Sequence, residues 1–265
     1  AEALKVKGLM NVQLAVQHAY SENPKVYILE VNPRASRTVP FVCKATGEPL
    51  AKIAARVMVG QTMKQQGVKV EVTPKYMCVK EAVFPFTKFL GVDPVLGPEM
   101  RSTGEVMGVG ASFGEALYKA ELGAGDRLPE KGTAFISVRD VDKARAVSVA
   151  THLRDQGFNI VATRGTAALL QHAAIPCRVV NKVSEGRPNV VDMIKNGDVQ
   201  LVIATADESR TQISDARQIR QTALAQLGVV YYTTISGAAA AVEGQKHAKD
   251  VEVRSLQELH AMNRA

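Results

Sequence analysis

The segment "VYILEVNPRASRT", residues 26–38, sets a carboxylate, an amide and two guanidiniums behind an apolar run: Glu30, Asn32, Arg34 and Arg37. On a strand, alternate side chains share a face, so Val26, Ile28, Glu30 and Asn32 point one way while Tyr27, Leu29 and Val31 point the other. Glu30 and Asn32 are then about 7 Å apart along the strand. A carboxylate beside an amide oxygen makes a hard-oxygen site of the kind Mg²⁺ takes together with water and phosphate oxygens. Arg34 and Arg37 follow where the chain leaves the strand, placed to hold phosphate or a carboxy anion by forked hydrogen bonds. In "GLMNVQLAV" (8–16) the same alternation puts Asn11 and Gln13 on one face, and a hairpin-like return brings Gln13 towards Glu30. The spacing fits equally well an ion pair between Glu30 and Arg34 at a strand end.

A second cluster lies in "NIVATRGTAALL" (159–170), where a strand ends at Thr163 and the chain turns through Gly165 into a helix expected to open near Thr166. Free backbone N–H groups, the helix dipole and two hydroxyls converge there, which makes an anion site. Lys143 in "DVDKA" and Lys182 in "VNKVSEG" add positive charge from neighbouring segments. Taken singly, Thr166 reads as an N-cap and each lysine as a solvated side chain. Together, at successive strand ends of one sheet, they favour a phosphate ligand.

Two rhythms position these clusters. Up to about residue 125, strand-like runs (Leu9–Val16, Val26–Val31, Val68–Val72, Tyr76–Pro85) are separated by turns and a few helices, among them Leu50–Val59. Ser112-x-x-Glu115 is a capping box that opens a helix running to about Leu122. "GAGDRLPEKGT" (123–133) is the linker candidate. Beyond it, the apolar runs "AFISV", "NIVAT", "CRVV", "LVIAT" and "VVYYT" alternate with helical patterns. Short continuous apolar runs with helices between them predict about five parallel strands buried on both faces, with ligands outside their carboxyl ends. The fold class is α/β. The C-terminal helix "SLQELHAMN" carries an apolar stripe of Leu256, Leu259 and Met262, fit for a core or for a subunit contact.

Bulk properties narrow the classes. The chain has 265 residues, 46 % hydrophobic and 22 % charged, enough for two domains. No apolar run approaches the roughly 18 residues of a membrane span. Cys43, Cys78 and Cys177 are widely separated, and the five histidines are scattered, so neither a disulfide framework nor a zinc site is expected. We read the cysteines as reduced thiols of a cytoplasmic protein. A net charge of +7 favours anionic partners, but with 5 % aromatics, no Trp and no basic run, phosphorylated small molecules are expected rather than nucleic acid. The chain starts at Ala1, without Met, close before the Glu30 cluster; we expect a larger protein upstream.

"GLMNVQ", "ILEVNPRASRTVPFVCKATG", "PLAKIAARVMVG" and "GVDPVLGPEMRSTGEVMG" closely resemble the large chain of bacterial carbamoyl-phosphate synthases, and the resemblance continues through "ATRGTAALL" and "VNKVSEGRPNVVDMIKNG". It implies a partial ATP-grasp (α+β) lobe over 1–124, followed by a small open parallel-sheet methylglyoxal-synthase-like domain over 125–265. It also implies ATP-dependent phosphorylation of carbamate to carbamoyl phosphate. Gln13, Glu30 and Asn32 match metal positions (Mg²⁺ or Mn²⁺), and Arg34 and Arg37 match arginines around the transferred phosphate. Ser137, Lys143, Thr163, Thr166, Lys182 and Thr205 match positions that hold the effector nucleotide, UMP or IMP. Glu81 and Thr233 match the ornithine site. The implied partner is a small glutaminase subunit in a hetero-oligomer.

Where relatives of that family carry Asn-Thr-Thr or Asn-Thr-Pro, this chain reads Ala204-Thr205-Ala206, which removes a hydrogen-bonding amide. Groups that hold adenine are expected upstream of Ala1, so this chain alone should be catalytically silent and bind ornithine poorly. A free-standing nucleotide sensor is the alternative, but it would have no need of the metal-ligand cluster. A methylglyoxal synthase on the same fold is disfavoured, because the Thr163–Thr166 loop carries no aspartate base.

Overall fold

A computed structural model describes the chain apart from residues 69–71, 90, 91, 93, 94, 97, 98, 206–209, 227, 250 and 265. Contacts group the residues into two compact units, Ala1–Lys75 with Glu252–Ala265, and Tyr76–Val251. Among the described residues no helix is long and apolar enough to cross a membrane.

In the first unit, β1 (Asn11–Gln17) and β2 (Lys25–Asn32) form an antiparallel pair whose register sets Asn11 opposite Asn32 and Gln13 opposite Glu30. A bulge between Gln13 and Leu14 shifts the register beyond that point. β2 is rich in β-branched and aromatic residues, which favour strands, yet Val26, Tyr27, Ile28 and Leu29 are exposed on both faces. Helix α1 (Thr38–Thr46) admits Pro40 in its first turn, where no intrahelical N–H is required. It stops at Gly47, whose positive φ of 82° lets its N–H reach Cys43 O. Helix α2 (Leu50–Met58) follows, close to the expected span. The strand expected over Val68–Val72 falls largely on residues 69–71, outside the described residues. The last helix packs on α1 in this unit: from Leu256–Arg264, Nε2 of His260 lies 2.8 Å from Lys44 O, and Asn263 Nδ2 donates to Ala45 O. Leu259 of the apolar stripe is buried.

The second unit contains an antiparallel pair, β3 (Met77–Val83) with β4 (Gly104–Gly110), backed by α3 (Phe113–Ala124). No strand is expected from the sequence of β4, which holds Gly104, Gly108 and Gly110. The reason is packing: a Cβ on Gly108 would collide with Ala116 O and Ala120 N of α3, so glycine lets helix and strand approach. The capping box holds in modified form, since Ser112 Oγ accepts from Glu115 N–H while Glu115 Oε2 accepts from Ala111 N–H, one residue earlier than expected. The linker candidate is a packed connection: Leu128 is buried and Gln245 Nε2 donates to Pro129 O at 2.6 Å.

Beyond it, β5 (Thr133–Ser137), β6 (Asn159–Thr163), β7 (Arg178–Val180), β8 (Leu201–Ala204) and β9 (Val230–Tyr232) form the expected all-parallel sheet, in the order β7-β6-β5-β8-β9. Their residues alternate between two cores. Ala134, Ile136, Ile160, Ala162, Leu201 and Ile203 pack with α4 (Lys143–Asp155), α5 (Arg164–His172) and α8 (Ile235–Gln245). Phe135, Val161, Val202 and Ala204 pack with α6 (Val190–Lys195) and α7 (Arg210–Ala225) on the other face. Full burial of the isoleucine, leucine, valine and phenylalanine side chains among them stabilises the sheet by roughly 1.5–3 kcal/mol each. Because β5 is flanked by β6 on one side and β8 on the other, the strand order reverses there. The carboxyl ends of these strands thus open a crevice.

Candidate functional site

The crevice is a cavity of about 310 Å³ lined by Ser137, Lys143, Thr163, Thr166, Lys182 and Thr205, all six of the residues matched to a nucleotide. Each is placed by a strand end or a helix start. Ser137 Oγ and Thr163 Oγ1, at the ends of neighbouring β5 and β6, are 3.0 Å apart. The helix α5 starts at Arg164, immediately after the strand, so Thr163 and not Thr166 is its N-cap. This corrects the N-cap expected at Thr166: the strand passes into the helix with no intervening loop, which puts Thr166 inside the first turn, where its Oγ1 accepts from Val138 N–H. Thr163 makes no side-chain cap bond, because its hydroxyl is turned to Ser137. Gly165 and Thr166 of that first turn line the cavity, which sets the positive end of the helix dipole beside it. Thr205 Oγ1 accepts from Arg139 N–H at 3.0 Å.

The charge around this cavity is mixed. Lys143 and Lys182 bring ammonium groups; Lys143 Nζ lies 2.7 Å from Asp140 Oδ1, and Lys143 holds that carboxyl below its ordinary range. Arg139 Nε pairs with Asp142 at 2.6 Å. Asp215, from α7, accepts from both the N–H and the hydroxyl of Ser184, and so secures the turn that carries Lys182. The arrangement suits an anion with hydroxyls around it, such as a phosphorylated ribose.

In the first unit, Gln13 and Glu30 are cross-strand neighbours, and Asn32 Nδ2 donates to Glu30 Oε1 at 2.9 Å. The three predicted metal-position residues therefore share one patch, with Glu30 and Gln13 open to solvent. One carboxylate and two amides form a hard-oxygen donor set, which fits Mg²⁺ in company with phosphate and water. Arg34 and Arg37 are exposed on the connection to α1, Arg37 directly preceding it, while Arg34 N–H bonds back to Asn32 O.

A second cavity, of about 620 Å³, is lined by three carboxylates, Glu81 of β3, Glu121 of α3 and Asp126, together with Arg127 and Tyr232. Burial pushes Glu121 up to about 7, and the negative charges of Glu81 and Asp126 act in the same direction, against the hydrogen bond Tyr232 Oη gives Glu121 Oε1 at 3.1 Å. Burial likewise raises Glu81 and Asp126. Thr233, matched with Glu81 at the sequence level, is exposed beside Thr234, the N-cap of α8, and is not part of the lining.

Comparison with known proteins gives these sites a setting. A family profile for the carbamoyl-phosphate synthase L chain ATP-binding domain matches residues 1–66, and one for the MGS-like domain matches 145–233. Proteins named carbamoyl phosphate synthase large chain align over nearly the whole chain. The one from Ralstonia nicotianae is 63 % identical over 98 % of this chain and 24 % of its own length. Those from Xanthomonas campestris pv. campestris and Pasteurella multocida are 57 % and 55 % identical at the same coverage. The chain thus matches, over nearly its whole length, one part of the carbamoyl phosphate synthase large chain, with an ATP-binding and an MGS-like domain model both represented. It spans about a quarter of the length of the relatives it matches. Its fold is a partial ATP-grasp lobe followed by an MGS-like parallel sheet. Among solved structures, ForH aligns at a TM-score of 0.34 with 15 % identity, covering 51 % of this chain and 90 % of that one, too distant to inform fold or function.

Within this large-chain frame, sequence reasoning missed Asp140 and Asp215 at the crevice and Glu121 and Asp126 at the acidic cavity. Asp140 had a signal, three residues before Lys143 and on its helical side. Asp215 and Glu121 had none, because each reaches its cavity from a helix remote in sequence.

Proposed function

We propose that the chain is the C-terminal part of the large subunit of a glutamine-hydrolysing carbamoyl-phosphate synthase, which makes carbamoyl phosphate from ATP, bicarbonate and glutamine-derived ammonia. The observation that carries this reading is the convergence of Ser137, Lys143, Thr163, Thr166, Lys182 and Thr205 on one cavity, in a chain 63 % identical to a named large chain over 98 % of its length. In the proposal, residues 125–265 are the regulatory domain, with UMP or IMP in the crevice, and residues 1–124 are the end of an ATP-grasp unit.

Gln13, Glu30 and Asn32 would hold Mg²⁺ or Mn²⁺, which neutralises charge on the phosphates of ATP. Asn32 orients the Glu30 carboxylate through its amide hydrogen. Arg34 and Arg37 lie within reach of a transferred phosphoryl group, in a reaction that depends on positioning and charge compensation more than on covalent chemistry. The acidic cavity with Glu81 is the ornithine site, its carboxylates facing the ligand's ammonium groups. The remainder of the longer protein would cover the apolar faces of β1 and β2 and supply the adenine pocket. A small glutaminase subunit would supply ammonia. Such an enzyme is cytoplasmic, and its effector would act by biasing a conformation shared with the ATP site.

Titrating the 265-residue chain with UMP tests the reading. Saturable heat is expected, weakened roughly tenfold or more in Lys182→Ala, as for a lost charge-assisted contact of about 1.5–3 kcal/mol. Equal signals from both proteins would remove Lys182 from the site. The same chain supplied with ATP, Mg²⁺, bicarbonate and ammonia is expected to form no carbamoyl phosphate, and turnover would refute its role as part of a site.

A further inference from the structure

The crevice contains its own anion. Asp140 Oδ1 lies 2.7 Å from Lys143 Nζ, and both residues line the cavity. The two are unequally placed: the Asp140 side chain is 89 % exposed and that of Lys143 32 %. The ammonium reaches over the opening turn of α5, 4.0 Å from where a Cβ on Gly165 would stand. A cation beside the positive end of a helix is unfavourable unless an anion accompanies it. In the ligand-free chain Asp140 is that anion.

We propose that Asp140 is a displaceable counter-ion, which any phosphate entering the crevice must replace at Lys143, so that occupancy demands contacts beyond the phosphate itself. This rests on the nucleotide reading of the crevice and adds a residue that sets its affinity. Asp140 acts through Lys143 and need not touch the ligand. Its negative charge also stays within a few ångströms of the bound phosphate and opposes it. An ion pair this exposed changes an equilibrium by at most about fivefold.

The test is calorimetric titration of the 265-residue chain at low salt with inorganic phosphate and, separately, with UMP, in the parent and in Asp140→Asn, Asp140→Glu and Asp155→Asn. Asp155 pairs with Arg154 at the far end of α4, the helix that Lys143 opens, and controls for net charge. Asp140→Asn is expected to tighten both ligands by about two- to fivefold. Asp140→Glu, which keeps the charge, and Asp155→Asn, which removes one remotely, should match the parent. If Asp140→Asn leaves affinity unchanged or weakens it, or if Asp155→Asn tightens it equally, the counter-ion role is overturned while the nucleotide reading stands. A parent chain that binds neither ligand overturns the nucleotide reading itself. Circular dichroism of each variant confirms an unchanged fold, as expected for an exposed side chain.

Discussion

Glu121 is buried between the helix that carries it and the edge strand, sharing a hydrogen bond with Tyr232 and the company of two further carboxylates. Its carboxyl is raised from the ordinary 4.5 to about 7. The folded chain therefore binds this proton more tightly than the unfolded chain does. The stabilisation it gives is complete below pH 4.5 and is lost as pH rises through about 7. Urea denaturation should show the second unit losing up to about 3 kcal/mol between pH 4.5 and 8. Glu121→Gln keeps an acceptor for Tyr232 and should flatten most of that slope; an unchanged slope would assign it elsewhere. The residue scale was legible where chemistry lay along one strand or at one strand end. Glu30 and Asn32 followed from alternation, and the six crevice residues from family positions. Thr166 was misread as a cap, since one-dimensional spacing does not show that strand passes directly into helix.

Elements were legible in proportion to how far their apolar pattern matched a regular period. The five parallel strands are continuous apolar runs and were visible; α3 announced itself by Ser112 and Glu115. β4 did not, because three of its seven residues are glycines, which erase strand propensity, and two of them, Gly108 and Gly110, leave room for α3. Helices α1 and α8 were not named, and α8 is so rich in alanine and glycine that it has little amphipathic contrast. The β4 account makes a prediction. Gly108→Ala should destabilise by roughly 1–3 kcal/mol or more through the collision with Ala116 and Ala120. Gly104→Ala, where a Cβ meets nothing within 4 Å, should be near neutral, and equal effects in thermal denaturation would rule out the packing explanation.

At the scale of the molecule, the domain division proposed at residue 124 and the grouping by contacts answer different questions. Residues 76–124 are assigned to the ATP-grasp lobe in the functional proposal, yet they pack in the same compact unit as the five-stranded sheet. Residues 76–251 expressed alone are therefore expected to fold cooperatively and to retain UMP binding within about threefold of the whole chain. A molten 76–251 segment, seen by near-ultraviolet circular dichroism, would contradict this. The contact grouping also has the polypeptide depart from the first unit at Lys75 and rejoin it at Glu252. A truncation just after Val251 would thus spare the crevice between Lys143 and Lys182 and instead strip α1 of the partners His260 and Asn263 supply. Removal of residues 252–265 should register first as damage to the unit that carries Gln13, Glu30 and Asn32, far away along the chain.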